Sequence, residues 1–77
     1  MNNIQDTLEY ILKAIVDKPE DISVTSEDVE GVTVFEISAP SEIVGRIIGK
    51  EGKIIKSIRT ILNLSYPNIK FALKIKD

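Results

Sequence analysis

The chain contains no cysteine, no histidine and no tryptophan, and only two tyrosines and two phenylalanines. Without cysteine or histidine it lacks the usual zinc ligands, a thiol nucleophile, any disulfide and the side chain most used for proton transfer at neutral pH. Most enzyme classes are thereby set aside, and neither a cofactor nor a bound metal is expected. Long apolar runs are missing as well. The first eighteen residues carry Asp6, Glu9 and Asp17 and have no basic start, so they read as neither a signal peptide nor a membrane span. A cytoplasmic location and no membrane partner are the resulting expectations.

What remains is a globular composition, 43% hydrophobic and 29% charged, with too many apolar residues for a disordered chain. At 77 residues it is expected to form one domain over residues 1–77, with a core small enough to benefit from a partner subunit. The formal charge of −2 hides an asymmetry. Up to Glu42 there are two lysines against ten acids, whereas from Ile43 onward eight bases face only Glu51 and Asp77. The second part is a candidate anion-binding half, although charge alone points first to a solvated bipolar surface.

Ile4, Leu8, Ile11, Leu12 and Ile15 fall on one stripe at helical spacing, which predicts an amphipathic helix over residues 3–17. Asn2 or Asn3 is its cap and Lys18-Pro19 its stop. Residues 21–29 and 32–39 read as two strands joined at Gly31, with Thr33, Phe35, Ile37 and Ala39 on one face. Pro40-Ser41-Glu42 opens a short helix to about Ile48, with Ser41 as the expected N-cap. A second helix is predicted from Lys53 to about Asn63. It turns Ile54, Ile55, Ile58, Ile61 and Leu62 to one side and Lys56, Arg59 and Thr60 to the other. Pro67 ends that stretch, and Ile69, Phe71, Leu73 and Ile75 alternate with Lys70, Ala72 and Lys74 as a half-buried strand. The order α-β-β-α-α-β predicts an α+β layer, a three-stranded mixed sheet with three helices on one face.

The most informative stretch is Ile47-Ile48-Gly49-Lys50-Glu51-Gly52-Lys53-Ile54-Ile55. One glycine is enough for a turn between helices, so a second asks for a reason. A left-handed residue at each end of a tight turn is one. The other is that backbone without Cβ can lie against a phosphate-sugar chain, with N–H groups and the next helix start facing the anion and Lys50 and Lys53 adding charge. A Walker loop is excluded, because Gly45 and Gly49 enclose three residues and Lys50 is followed by Glu51. A dinucleotide fingerprint is excluded too, because these glycines follow a helix rather than a strand.

Ile47, Ile48, Gly49, Gly52 and Ile55 meet the pattern I-I-G-x-x-G-x-x-I, and the stretch resembles the signature of the K-homology (KH) domain. The element order resembles the type II, bacterial form of that fold. The chain from end to end is similar to the small single-KH RNA-binding proteins of bacteria. The resemblance implies that the loop from Gly49 to Gly52 clamps the backbone of single-stranded RNA, beside an aliphatic groove that takes the bases. It also implies a dimer, with itself or with a larger KH-containing protein, acting as an RNA chaperone that affects cell shape and envelope synthesis.

On the same resemblance Gly45 is a small residue that lets RNA approach, and Arg46, Lys50, Lys53 and Lys56 are phosphate contacts. Ile48, Gly49, Glu51 and Gly52 complete the site. Glu51 departs from what a phosphate clamp favours, since a carboxylate there repels the backbone. Phe35 and Phe71, on inward strand positions, are expected in the core, while Tyr10 and Tyr66 stay open between surface packing and base stacking. Two other readings stay open at this point: a dimerisation module with vestigial nucleic-acid binding, and a single-stranded DNA binder. The helix of residues 53–63 and its Leu64-Ser65-Tyr66-Pro67 exit are the expected subunit contact.

Overall fold

A computed structural model describes residues 3–76. Helix α1, Ile4–Ala14, starts where Asn3 Oδ1 accepts the Asp6 N–H at 2.8 Å, satisfying one of the donors that a helix start leaves free. Asn2 lies outside the described residues. The helix ends three residues earlier than the apolar stripe suggests. Ile15 N–H bonds back to Leu12 O in a tightened final turn, and Ile15 itself is exposed. A short 3-10 turn over Pro19–Asp21 takes up Asp21, the first residue of the expected strand, and Ile22 closes the turn, so strand β1 covers Ser23–Val29.

Strand β2, Val32–Ser38, pairs antiparallel with β1 in the register Val29↔Val32 to Ser23↔Ser38. Glu30 and Gly31 form the whole connection, with φ of 52° and 85°, the double positive φ that a two-residue hairpin needs to match strand twist. Gly31 was legible as that turn; Glu30 has to adopt a conformation unusual for a residue with a Cβ.

Helix α2, Ser41–Ile48, begins with Pro40 as the capping residue, not Ser41. Pro40 O accepts from both Ile43 and Val44 N–H, and no side chain caps the helix. Helix α3, Lys53–Ser65, runs two residues past Asn63 before Tyr66 leaves helical geometry. Strand β3, Phe71–Lys76, then pairs parallel to β2, from Thr33↔Phe71 to Ser38↔Lys76. Ile69, expected inward on this strand, precedes it and is exposed.

The sheet order is β1-β2-β3, one antiparallel and one parallel pair, giving the mixed α+β arrangement of a type II KH-like fold. One cluster joins Phe35, Ile37 and Ala39 of the sheet side to Ile4, Leu8 and Leu12 of α1, Val44 and Ile47 of α2, and Ile58 and Leu62 of α3. Phe35 is 1% exposed, whereas Phe71 packs against the cluster half-buried, 6.5 Å from Phe35 between ring centres. Its place on an edge strand explains the difference, because no further strand covers it.

Two corrections concern α3 and its exit. The face expected to be buried is wider than the core can cover, so Ile54 is 40% and Ile61 46% exposed. Tyr66 is not a free apolar group. It packs against the core, and its hydroxyl shares a 2.6 Å hydrogen bond with Thr7 Oγ1 and donates to Asn3 O at 3.3 Å. Tyr66 thus fastens the end of α3 to the start of α1, while its neighbour Leu64 stands 78% exposed.

Candidate nucleic-acid interface

The loop between α2 and α3 is built almost entirely from backbone that L-residues avoid. Gly49 has φ 75°, Glu51 58° and Gly52 74°. Gly49 closes α2 through its N–H to Gly45 O at 2.9 Å, and Gly52 N–H returns to Gly49 O at 3.1 Å. The chain turns within three residues, and Lys50 and Glu51, the two residues between the glycines, are exposed at its tip.

The glycines differ in what they need. A Cβ on Gly49 would lie 2.6 Å from Ile54 Cγ1 and 2.9 Å from Ile54 Cβ, so Gly49 is required by the packing of the loop against α3. At Gly52 the nearest atom would be Lys56 Cε at 3.7 Å, which leaves φ as its only demand. Gly45, inside α2, would meet nothing within 4 Å. A glycine inside a helix costs about 1 kcal/mol relative to alanine, and no contact within the chain accounts for it.

Gly52 is the N-cap residue of α3 and offers no side chain to the N–H groups of the first turn, which contains no acid, although the Lys53 N–H bonds back to Lys50 O. Instead Lys53 opens the helix and Lys56 follows one turn later, both exposed. Positive charge at a helix N-terminus opposes the macrodipole. A helix start that no side chain caps, with two exposed lysines in its first turns, is a place where an anion is favoured. Ile48 is half-buried against the core beside this loop, and Arg59 continues the exposed basic face of α3.

Arg46 lies on the exposed side of α2, with Nη2 3.5 Å from Asp17 Oδ2. Both side chains are largely solvated, at 59% and 82% exposure, so the pair is weak. It spans a groove of about 200 Å³ whose walls are Val16, Asp17, Lys18 and Asp21 on one side and Pro40, Glu42, Ile43 and Arg46 on the other. Val16, Pro40 and Ile43 provide apolar wall, and three carboxylates share it. The spacing of these acids in the sequence gave no sign of the groove, since Asp17 and Asp21 come together with α2 only through the 3-10 turn. Tyr10 is 68% exposed and lines none of these surfaces.

The expected site residues therefore fall on one continuous stretch of backbone: Gly45, Arg46 and Ile48 on α2, Gly49, Lys50, Glu51 and Gly52 in the loop, and Lys53 and Lys56 on α3. Among the described residues, no helix is long and apolar enough to cross a membrane.

Comparison with known proteins bears on the family of the chain. A family model described as KhpA/KhpB, KH domain, matches residues 5–74. The RNA-binding protein KhpA of Treponema pallidum is 36% identical over 75 residues, covering 95% of this chain and 94% of that one. The RNA-binding protein KhpA of Chlamydia trachomatis is 37% identical over 76 residues, covering 96% and 97%. That of Thermotoga maritima is 43% identical over 60 residues, covering 78% and 80%. With a family model matching residues 5–74 and relatives similar along nearly the whole of it, the chain belongs to the KhpA/KhpB KH-domain family.

Proposed function

We propose that this protein is a single KH module that binds single-stranded RNA without catalysing a reaction, gripping the phosphate backbone at Gly49–Gly52. The observation that carries the reading is the start of α3, where a left-handed glycine leads in, no side chain caps the N–H groups of the first turn and Lys53 is exposed. Lys50 and Arg46 extend the positive surface along the backbone path, Lys56 closes it, and Gly45 and Ile48 let the ribose and bases approach α2. Glu51, at the tip, weakens the grip and keeps affinity modest.

The names of the relatives support RNA as the ligand. In this reading the protein acts in the cytoplasm as an RNA chaperone or post-transcriptional regulator affecting cell shape and envelope synthesis. A clamp of about four nucleotides is a small interface, so it works in pairs, as a homodimer or with a larger KH-containing protein. The exposed Ile54, Ile61 and Leu64 of α3 support pairing through that helix. They support pairing alongside RNA binding rather than in place of it, because the loop keeps its glycines and lysines.

Titration of a labelled RNA octamer and of the DNA octamer of the same sequence tests the reading. Saturable binding of RNA, tighter than DNA, is expected if 2′-hydroxyls are contacted. Equal binding of both makes the protein a general single-strand binder, and binding of neither leaves only the dimerisation module.

A further inference from the structure

The cations of the candidate site are not alike. Among the described residues two ion pairs form, Lys13 with Glu9 and Arg46 with Asp17, and neither takes up Lys50, Lys53 or Lys56. Arg46 also stands apart by direction. At about 100° per residue, Gly45 and Ile48 lie about 60° from one another on one flank of α2. Ile43 and Arg46 lie equally close together on the other flank, the wall that faces the exit of α1 across the groove. The Arg46 guanidinium is thus drawn away from the flank on which Gly45 and Ile48 leave room for RNA.

What draws it there is an acid on fixed backbone. Val16 packs against the core on one side of Asp17. On the other, Asp21 N–H bonds to Lys18 O at 3.0 Å and Ile22 N–H to Pro19 O at 3.2 Å, closing the turn. Glu42, four residues before Arg46 in the order that favours a pair along a helix, lines the same groove but forms no ion pair with it. The partner of Arg46 is therefore chosen by the tertiary fold rather than by α2. A carboxylate and a phosphate make the same demand on a guanidinium. Asp17 meets it loosely, at 3.5 Å from Nη2 alone, beyond the roughly 2.7–2.9 Å of a charge-assisted hydrogen bond. Such a partner can be displaced.

We propose that Asp17 is a built-in competitor of RNA for Arg46. In the free protein it holds the guanidinium on the α1 side of α2. Arg46 changes partner, from the Asp17 carboxylate to a phosphate, when a strand lies along the Gly45 and Ile48 flank. Asp17 thereby sets the affinity of the site without touching the ligand, and it lowers binding to anions that do not reach Arg46 from that flank. The inference rests on the reading of Gly49–Gly52 as an RNA clamp and names what regulates one cation of that site.

The test compares two double variants of the full chain that remove the same charge from the same groove: Asp17→Asn with Glu42→Gln, and Asp21→Asn with Glu42→Gln. Glu42→Gln is present in both so that Glu42 does not take over the guanidinium. In titration with the RNA octamer at low salt, the Asp17 variant should bind about threefold more tightly than the Asp21 variant, the scale on which an exposed ion pair competes. Its logarithmic salt slope should be steeper by about 0.7, as one further phosphate contact on a single strand requires. Adding Arg46→Gln to each should abolish the difference. Equal affinities of the two variants overturn the proposal, as does a difference that survives Arg46→Gln, which would be the effect of charge at a distance. An octamer that binds none of these proteins removes the clamp and the exchange with it, whereas one that binds all of them equally removes the exchange alone.

Discussion

Ile54 Cγ1 stands 2.6 Å from the point where a Cβ on Gly49 would sit, whereas the corresponding point at Gly52 is 3.7 Å from Lys56 Cε. The two glycines of one motif thus answer to different physics. Gly49 has no room and a backbone with φ 75° and ψ 177°, a region that is essentially glycine's alone. Gly52 has room and lies in the left-handed region that alanine reaches at about 1 kcal/mol.

Gly49→Ala is therefore expected to destabilise the protein by about 2–4 kcal/mol, and Gly52→Ala by about 1–2 kcal/mol. Thermal unfolding followed by circular dichroism checks the order. Equal losses would show that Ile54 moves aside without cost.

At Gly45 the sign reverses. A Cβ there meets nothing in the chain, so Gly45→Ala should raise stability by about 0.5–1 kcal/mol through the helix preference of alanine while weakening RNA binding. A variant that melts higher and binds less well is the signature of a glycine kept for a ligand. If it melts higher and binds equally, Gly45 does not border the RNA.

The apolar periods of α1, β2 and α3 were legible in the sequence because Leu8, Leu12, Phe35, Ile37, Ile58 and Leu62 all repeat at the spacing of the element that buries them. The ends were less so. Ser41 has the chemistry of a cap, but the chain enters α2 through Pro40, whose carbonyl does that work. The wide apolar face of α3 could not be divided by pattern alone: Ile54 and Ile61 sit at its margin, and only the positions of α1 and α2 decide that Ile58 and Leu62 are the residues covered. For the candidate site, the two-glycine spacing marked the loop, but the difference between Gly49 and Gly52 depends on a contact with Ile54 that no spacing reveals. The Tyr66 to Thr7 bond joins residues 59 positions apart, and sequence order carries no trace of it.

Replacing Lys50 and Glu51 together by Asp-Asp should weaken RNA binding at least tenfold and leave the melting temperature within a few degrees. Both side chains are exposed, and aspartate tolerates the left-handed backbone of position 51 at least as well as glutamate. The loop charge moves from neutral to −2 at the phosphate path. Wild-type affinity should fall with salt at a logarithmic slope of about −1.4 to −2.8, as two to four phosphate contacts on a single strand require. A salt-independent affinity, or an Asp-Asp loop that binds as well as the native one, would remove the clamp from the mechanism.

The last prediction separates pairing from folding at the end of α3. Ile54, Ile61 and Leu64 are spaced seven and three apart and fall on one stripe of the helix, exposed by 40%, 46% and 78%. Leaving three such side chains in water is unfavourable in a domain of this size, and a second copy laid along the same stripe removes them from it. Sedimentation at micromolar concentration should give a mass of about twice 8.6 kDa. Leu64→Glu with Ile61→Lys should shift it to monomer with little change in the fold of each subunit, because neither residue belongs to the buried cluster. Tyr66→Phe should do the opposite. It removes the hydroxyl bonded to Thr7 and Asn3, at about 1 kcal/mol and 4–8 °C of melting temperature, and leaves the mass at twice the monomer. Two RNA clamps on one dimer raise the effective concentration of the second, so the monomeric variant should also bind a long RNA at least tenfold more weakly while binding an octamer as before. A native protein that sediments as a monomer, or a monomeric variant that binds long RNA undiminished, would leave α3 without a role in avidity.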